Sequence, residues 1–383
     1  MAKKNNNASV NGGILNMWKP AGITSFSLVN KIKKLSNVSK VGHVGTLDPF
    51  ADGVLPIAIG KSSNMIRYMN EYSKKYRVLI HFGQSTHTQD LSGEVIINSP
   101  ISSELISNVK SGNYEKLLDA ANSLNGKIMQ KVPLYSAVKL DGKPMYWYAR
   151  QGIEVPVKVR EAEIFSSNLI AAGVNNKLLG IETVKFSEEA FLEFCPDEQK
   201  AIGQYFPDFS HVNADLDRAS FVALPLLWAI FDVHVASGTY IRTWAEDLAS
   251  KIGIGAHAFM LRRLETGPYN IATAIRVEDI EANLTAPEDL QDYYESQKFL
   301  LAPATARMDI PVLKLSETES VKVLQGQKIS LKGKDPALLD CKLIKLYYSD
   351  YFLGIATIVK DRFAIQAERM FTSIEQFYSR FDK

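Results

Sequence analysis

The chain has 383 residues, 46% of them hydrophobic and 22% charged, a balance that excludes disorder over most of its length and allows two or three domains. Lysine and arginine (44) nearly cancel aspartate and glutamate (42), which excludes a uniformly basic nucleic-acid binder but not a local basic face. The two cysteines, Cys195 and Cys341, make neither a disulfide framework nor an all-cysteine zinc site, so a reducing cytoplasm is the natural compartment.

Residues 1–12 read as a disordered polar tail, with no apolar stretch after the lysines to make a secretory signal. The most apolar run, Phe221–Phe231, contains Pro225 and is too short to span a bilayer, so no membrane partner is expected. Gly13–Pro20 predicts a strand entering a turn. Thr24 or Ser25 then caps a helix whose inner face is Phe26, Val29, Ile32 and Leu35, with Lys31, Lys33 and Lys34 outside. A loop follows, Gly42-His-Val-Gly-Thr-Leu-Asp-Pro-Phe-Ala-Asp-Gly53, then a strand in VLPIAIG and a helix over 62–70. Tyr76, Val78, Ile80 and Phe82 alternate with Arg77, Leu79 and His81 as in a strand. Helices are predicted at 104–107, 114–124 and within KPMYWYARQG. A strand through Phe231, Val233 and Val235 leads into SGTYIRT and a helix with Ile241, Trp244, Leu248 and Ile252 on one face. A polar helical stretch, EDLQDYYESQKF, precedes residue 300. Beyond it, short runs (VLKL, KLIKLYY, FLGIATIVK, FAIQAERMF) broken by glycines suggest a small β domain.

Charge is uneven. Residues 1–110 hold 13 Lys and Arg against 6 Asp and Glu, whereas residues 166–225 hold 4 against 9. A basic front end suits a polyanion held through its phosphates, and equally a solvated lysine surface. The six histidines have no metal-ligand spacing, and no phosphate-cradling or dinucleotide glycine motif occurs. Neither a metal nor an organic cofactor is implied.

The glycine- and proline-rich loop at 42–53 fixes an unusual backbone path. One Asp in such a loop can serve as nucleophile or base on a substrate close to the backbone. Spacing alone favours a plainer reading, a turn in which Asp48 or Asp52 bonds nearby amides.

The segment GHVGTLDPFADGVLPIAIGKSSN resembles the catalytic motif of the TruB family, bacterial tRNA pseudouridine synthases that act on uridine 55. Four further segments match in the family's order: KPAGITSFSLVNKIK, KKYRVLIHFGQSTHTQDLSG, VPLYSAVKLDGKPMYWYARQG and SGTYIRTWAEDLASKIGIGAHAFMLRRLETG. The resemblance implies an α+β fold, a pseudouridine-synthase-like mixed, mainly antiparallel sheet with flanking helices. It implies a catalytic domain over 13–300 and, more loosely, a PUA-like RNA-binding β-barrel over 301–383. It implies isomerisation of uridine 55 in the T-loop of tRNA, with contacts to the T-stem and the acceptor end and no obligate protein partner. By the same resemblance Asp48 is the nucleophile, Arg242 the arginine that pairs with it, and Tyr76 the tyrosine that stacks on the uracil and helps remove its C5 proton. Tyr240 and Leu261 line the pocket, and His43 stacks into the tRNA loop. Lys19, through a structural or backbone contact, and Asp90, as a support of the site, are expected among the residues that bind substrate. Asp52 is left to loop structure. Arg262 and Arg263 are candidates for phosphate contacts, with ordinary surface charge an equal account.

One departure stands out. An acidic insert, about residues 170–225, is generally missing from family members; it would be repelled by RNA and is expected to pack away from the cleft. The alternative of another class is a non-catalytic tRNA-binding or tRNA-folding protein, which would not need Asp48, Arg242 and Tyr76 together.

Overall fold

The computed structural model describes residues 12–175, 226–283, 300–301 and 309–381. The larger unit is α+β, built on a ten-stranded, mainly antiparallel sheet. Its main path runs Leu300–Leu301, Gly13–Lys19, Asp52–Ile59, Ala256–Thr266, Lys74–Phe82, Leu226–Val235, Val159–Asn175, Gly126–Lys131. The central strand Lys74–Phe82 is buried on both faces from Val78 onward, which is why Leu79 and His81 sit where exposed residues would alternate. Helices Ser25–Ser36, Ser103–Lys110, Glu115–Asn122 and Ile241–Lys251 share one core with the sheet. Phe231 and Trp244 meet edge to face there, 5.5 Å apart.

One junction in this sheet is parallel. It pairs Arg262 with Asp52 and Arg263 with Gly53, joining the strand after the Asp48 loop to the strand of Leu261. Gly53 has φ +106°, and a Cβ there would lie 2.3 Å from the Arg263 carbonyl oxygen, so only glycine fits.

Two local expectations are corrected. Helix Ser25–Ser36, capped by Thr24, buries Leu28, Val29 and Ile32, whereas Phe26 is 67% exposed. The inward stripe follows i, i+1, i+4 and not a three-residue step. Residues 60–70 form a 3-10 turn, Gly60–Met65, and only a short α-helix, Ile66–Met69.

The C-terminal unit is a five-stranded sheet in the order Val312–Leu315, Leu343–Tyr348, Tyr351–Val359, Ala364–Met370, Ile329–Ser330. Its helices are Glu317–Leu324, opened by a Ser316/Glu319 capping box, and Ile374–Phe381. The barrel expectation is met in part: the strands are there, but among the described residues no register joins the two outer ones, which are short. The unit has its own core around Val323, Ile344, Leu346, Leu353 and Phe377.

A third core spans both units. Ile14, Val44, Val54, Ala58, Met65 and Met69 from the large unit pack with Ile310 and Ile355 of the small one. Arg67 pairs with Glu368, and Lys61 Nζ donates to Gln376 Oε1 at 2.9 Å. The 1–11 tail, most of the acidic insert (176–225) and the EDLQDYYESQKF stretch, expected to be helical, lie outside the described residues.

Candidate active site

The Asp48 loop is held from every side. Ser25 Oγ accepts from Leu47 N and donates to Leu47 O, both at 2.9 Å. Gly22 N donates to Pro49 O at 2.8 Å. Lys19 is fully buried, and its Nζ donates to the carbonyls of Pro20 (2.8 Å), Ile23 (2.8 Å) and Pro49 (3.3 Å). Burial pushes the Lys19 ammonium down to about 7, against the pull of Asp52 and Asp48. Arg263 is fully buried; it donates to Val54 O (2.7 Å) and Gly45 O (3.0 Å). Arg262 is 3% exposed and forks the Asp52 carboxylate at 2.9 and 2.6 Å. Neither arginine is surface charge or open to a phosphodiester as an exposed group would be. Their strand lies between two others, and each guanidinium is consumed in fixing the loop. Asp52 is thereby a structural clamp.

Asp48 and Arg242 pair with each other in the lining of a cleft of about 530 Å³. Arg242 Nε lies 2.8 Å from Asp48 Oδ2, and Nη1 3.6 Å from Asp90 Oδ2. The guanidinium also donates to the carbonyls of Thr88 (2.7 Å) and Tyr135 (3.0 Å). Arg242 is 3% exposed, whereas the Asp48 side chain keeps 34% of its surface open. Burial in the cleft is the largest influence on Asp48 and pushes its carboxyl up from the ordinary 3.8. Arg242 and Lys19 pull it down, and Asp90 pushes it up.

Arg242 is placed by its helix, Ile241–Lys251, which has no side-chain cap. Instead Gln130 clasps the backbone of Tyr240: Tyr240 N donates to Gln130 Oε1 (2.8 Å), and Gln130 Nε2 donates to Tyr240 O (2.9 Å). Asp90 is turned toward Arg242 by Gln89, a non-glycine residue at φ +61°. Thr88 Oγ1 donates to Asp90 Oδ1 at 2.7 Å, and Ser92 N donates to the same oxygen at 3.0 Å.

Tyr76, Leu261, Tyr240 and His43 line the same cleft as Asp48 and Arg242. Tyr76 stands opposite Val233 and Arg263 in the sheet, and Leu261 opposite Val78. His43 Nε2 is 3.2 Å from Thr46 Oγ1, and burial together with Arg263 holds its pKa below 6.5, which favours the neutral ring. Lys19 and Asp90, expected to bind substrate, do not line the cleft: Lys19 is spent on the carbonyls of the Asp48 loop, and Asp90 backs Arg242. Sequence reasoning missed Gln130, Gln89 and the Thr88 and Tyr135 carbonyls. It also missed Lys74 and Arg160, which line the wall. Tyr135, Lys74, Thr88 and Gln89 lay within quoted motif segments, whereas Gln130 and Arg160 lay outside them.

Among the described residues no cluster of three or more His, Cys, Asp or Glu is arranged to hold a metal ion. No helix among them is long and apolar enough to cross a membrane.

Family models match residues 33–189, as TruB family pseudouridylate synthase (N terminal domain), and residues 242–303, as tRNA pseudouridylate synthase B C-terminal domain. The tRNA pseudouridine synthase B of Clostridium tetani (strain Massachusetts / E88) is 31% identical over 358 residues, 92% of this chain and 98% of that protein. The protein of the same name from Streptococcus pyogenes serotype M2 is 32% identical over 327 residues, 85% of this chain and 90% of that one. Among solved structures, a chain of a Cbf5-Nop10-Gar1 complex matches with TM-score 0.58 at 20% identity, over 95% of this chain and 86% of that one. A chain of an H/ACA RNP bound to a substrate RNA containing 2'-deoxyuridine matches with TM-score 0.56 at 18% identity, over the same 95% and 86%. At that identity the likeness shows the fold alone.

Proposed function

Because the chain belongs to the TruB family of pseudouridylate synthases, we propose that it isomerises uridine 55 in the T-loop of tRNA, with Asp48 as nucleophile. The chain is an enzyme, a tRNA pseudouridine synthase. The observation that carries it is the Asp48–Arg242 ion pair in a cleft that Tyr76, Tyr240 and Leu261 also line.

The chemistry follows from those groups. A uridine in a loop must leave its stack to enter a cleft, and Tyr76 and Leu261 offer the base an aromatic face and an apolar wall. His43, held neutral, offers the vacated stack a flat ring. The Asp48 carboxylate attacks C1′ or stabilises its positive character as the C1′–N1 bond breaks. The bonding pair leaves on uracil N1. The base turns and C1′–C5 forms, any Asp48 O–C1′ bond breaking with its electron pair returned to the carboxylate; the C5 proton departs with Tyr76 as candidate acceptor, and N1 takes up a proton. A glycosidase would pair its carboxylate with a carboxylic acid. Here Asp52 is forked by Arg262 and Asp90 is bonded by Thr88, Ser92 and Arg242, so both serve structure. Arg242 opposes the upward push of burial on the Asp48 carboxyl, favouring its ionised form, and aims it.

The C-terminal unit, read as PUA-like, is assigned to the acceptor end of the tRNA, with the T-arm in the cleft. The reading is of an enzyme of the cytoplasm that needs no protein partner. The test is tritium release from tRNA carrying 5-³H-uridine, comparing wild type with Asp48→Asn. Release by wild type alone, with tRNA binding retained by both, supports the assignment. Binding without release by wild type would favour a tRNA-binding protein without catalysis.

A further inference from the structure

Arg242, Lys74, Arg160 and Arg263 line the cleft, and among the described residues only Arg242 has a carboxylate partner. Arg263 is used on backbone carbonyls. Lys74 Nζ donates to the carbonyls of Asn70 (2.9 Å) and Tyr72 (2.5 Å) and to Ser237 Oγ (3.2 Å), which exhausts its donors. Arg160 differs. It donates no hydrogen bond to any described residue, and its Nε is buried without a partner.

The guanidinium of Arg160 is nonetheless fixed. It lies 4.8 Å from the centroid of the Tyr240 ring. It also rests against the Ser237–Gly238 turn, where a Cβ on Gly238 (φ +89°) would come within 2.1 Å of Nη2. Its strand register sets it opposite Gln130, the side chain that clasps Tyr240. A native structure seldom buries an arginine donor without an acceptor. This wall therefore has a positioned fork, a second cation at Lys74 and no anion of its own. Burial and Arg263 push Lys74 down to about 8, and no carboxylate acts against them.

We infer that Arg160 and the Ser237–Gly238 turn form a subsite for a backbone phosphate adjoining the target uridine. The inference rests on the proposed reading of the cleft as a uridine site. A nucleotide with C1′ at Asp48 carries its phosphates on the sugar and away from the base, and Arg160, Ser237 and Gly238 line the same cleft as Asp48. A planar guanidinium matches two phosphate oxygens at once, and the stack on Tyr240 holds that plane in place before RNA arrives. Arg160 is a substrate-positioning residue, and the bond is made in ground state and transition state alike.

The experiment uses the full chain and a synthetic T-arm stem-loop with 5-³H-uridine at the target. The phosphate 5′ or 3′ of that uridine is replaced, one at a time, by an uncharged methylphosphonate. Arg160→Met is expected to raise KM about tenfold with kcat within about twofold, since a charge-assisted pair is lost uniformly. It should lower the slope of log affinity against log salt by about one. One of the two methylphosphonates should cost wild type a similar factor and cost Arg160→Met nothing more, and Arg160→Lys should fall between. Additive losses at both phosphates, or an unchanged salt slope, overturn the subsite while leaving the uridine reading intact. Wild type that releases no tritium from the unmodified stem-loop or from whole tRNA overturns that reading, and the subsite with it. Should Arg160→Met fail to give a cooperative melt, the same coupling is read on Arg160→Lys.

Discussion

Arg242→Gln tests the electrostatics of the site most sharply. The guanidinium serves four oxygens: Asp48 at 2.8 Å, Asp90 at 3.6 Å, and the Thr88 and Tyr135 carbonyls at 2.7 and 3.0 Å. Glutamine replaces at most one of the carbonyl bonds and none of the charge. Removing one partner of a buried pair costs about 3–5 kcal/mol. Asp48 keeps 34% of its side-chain surface open, so water offsets part of its loss and about 3 kcal/mol is the figure to expect. The sign with pH follows from the carboxyl. Asp48 is already raised above 3.8 in the folded protein, so its ionisation works against the fold as pH rises. Arg242 is the largest influence pulling it down, and the substitution therefore raises it further. The loss at the two carbonyls is independent of pH, and the part of the deficit that belongs to Asp48 adds to it as pH rises through that carboxyl's raised pKa. Urea denaturation at pH 4.5 and 7.5 measures it. Single-turnover tritium release across pH follows the same carboxyl, and its acid limb moves to higher pH in the variant. A deficit equal at both pH values, with the acid limb unmoved, would refute the argument and leave Arg242 as a holder of carbonyls.

Two further substitutions test the scaffold. Gly53→Ala must push the parallel junction apart, because the Cβ meets backbone and not a mobile side chain; a loss of about 3 kcal/mol and a fall of about a hundredfold in kcat are expected from thermal melts and tritium release. Ile355→Ala opens a cavity in the core shared by the two units and should cost about 2–5 kcal/mol in one cooperative melt, whereas two separated transitions would contradict the shared core.

Elements with a clear period were legible in the sequence: the strand through Tyr76, the helix through Trp244 and the C-terminal strands lie where their patterns put them. The glycines and proline of residues 42–53 announced an unusual loop. They did not announce that Gly53 is dictated by the Arg263 backbone, since that contact joins segments far apart in the chain. Only the family resemblance connects Asp48 with Arg242; no local sequence pattern does. Arg262 and Arg263 misled because charge is read as surface by default. Their strand proved central, and carboxylate and carbonyl acceptors made burial affordable. Arg160 was silent because a single arginine in a strand carries no motif, and its significance lies in what it fails to bond.

The core shared by Ile14, Val44 and Val54 with Ile310 and Ile355 bears on modularity. The small unit leans on the same side chains that back the Asp48 loop, so a cut near residue 301 does not free an independent module; it strips one wall from the other half. Domain exchange among relatives would have to carry those contact residues along. A graft that kept the C-terminal fold but changed its inner face would alter the reaction centre without touching any residue in it.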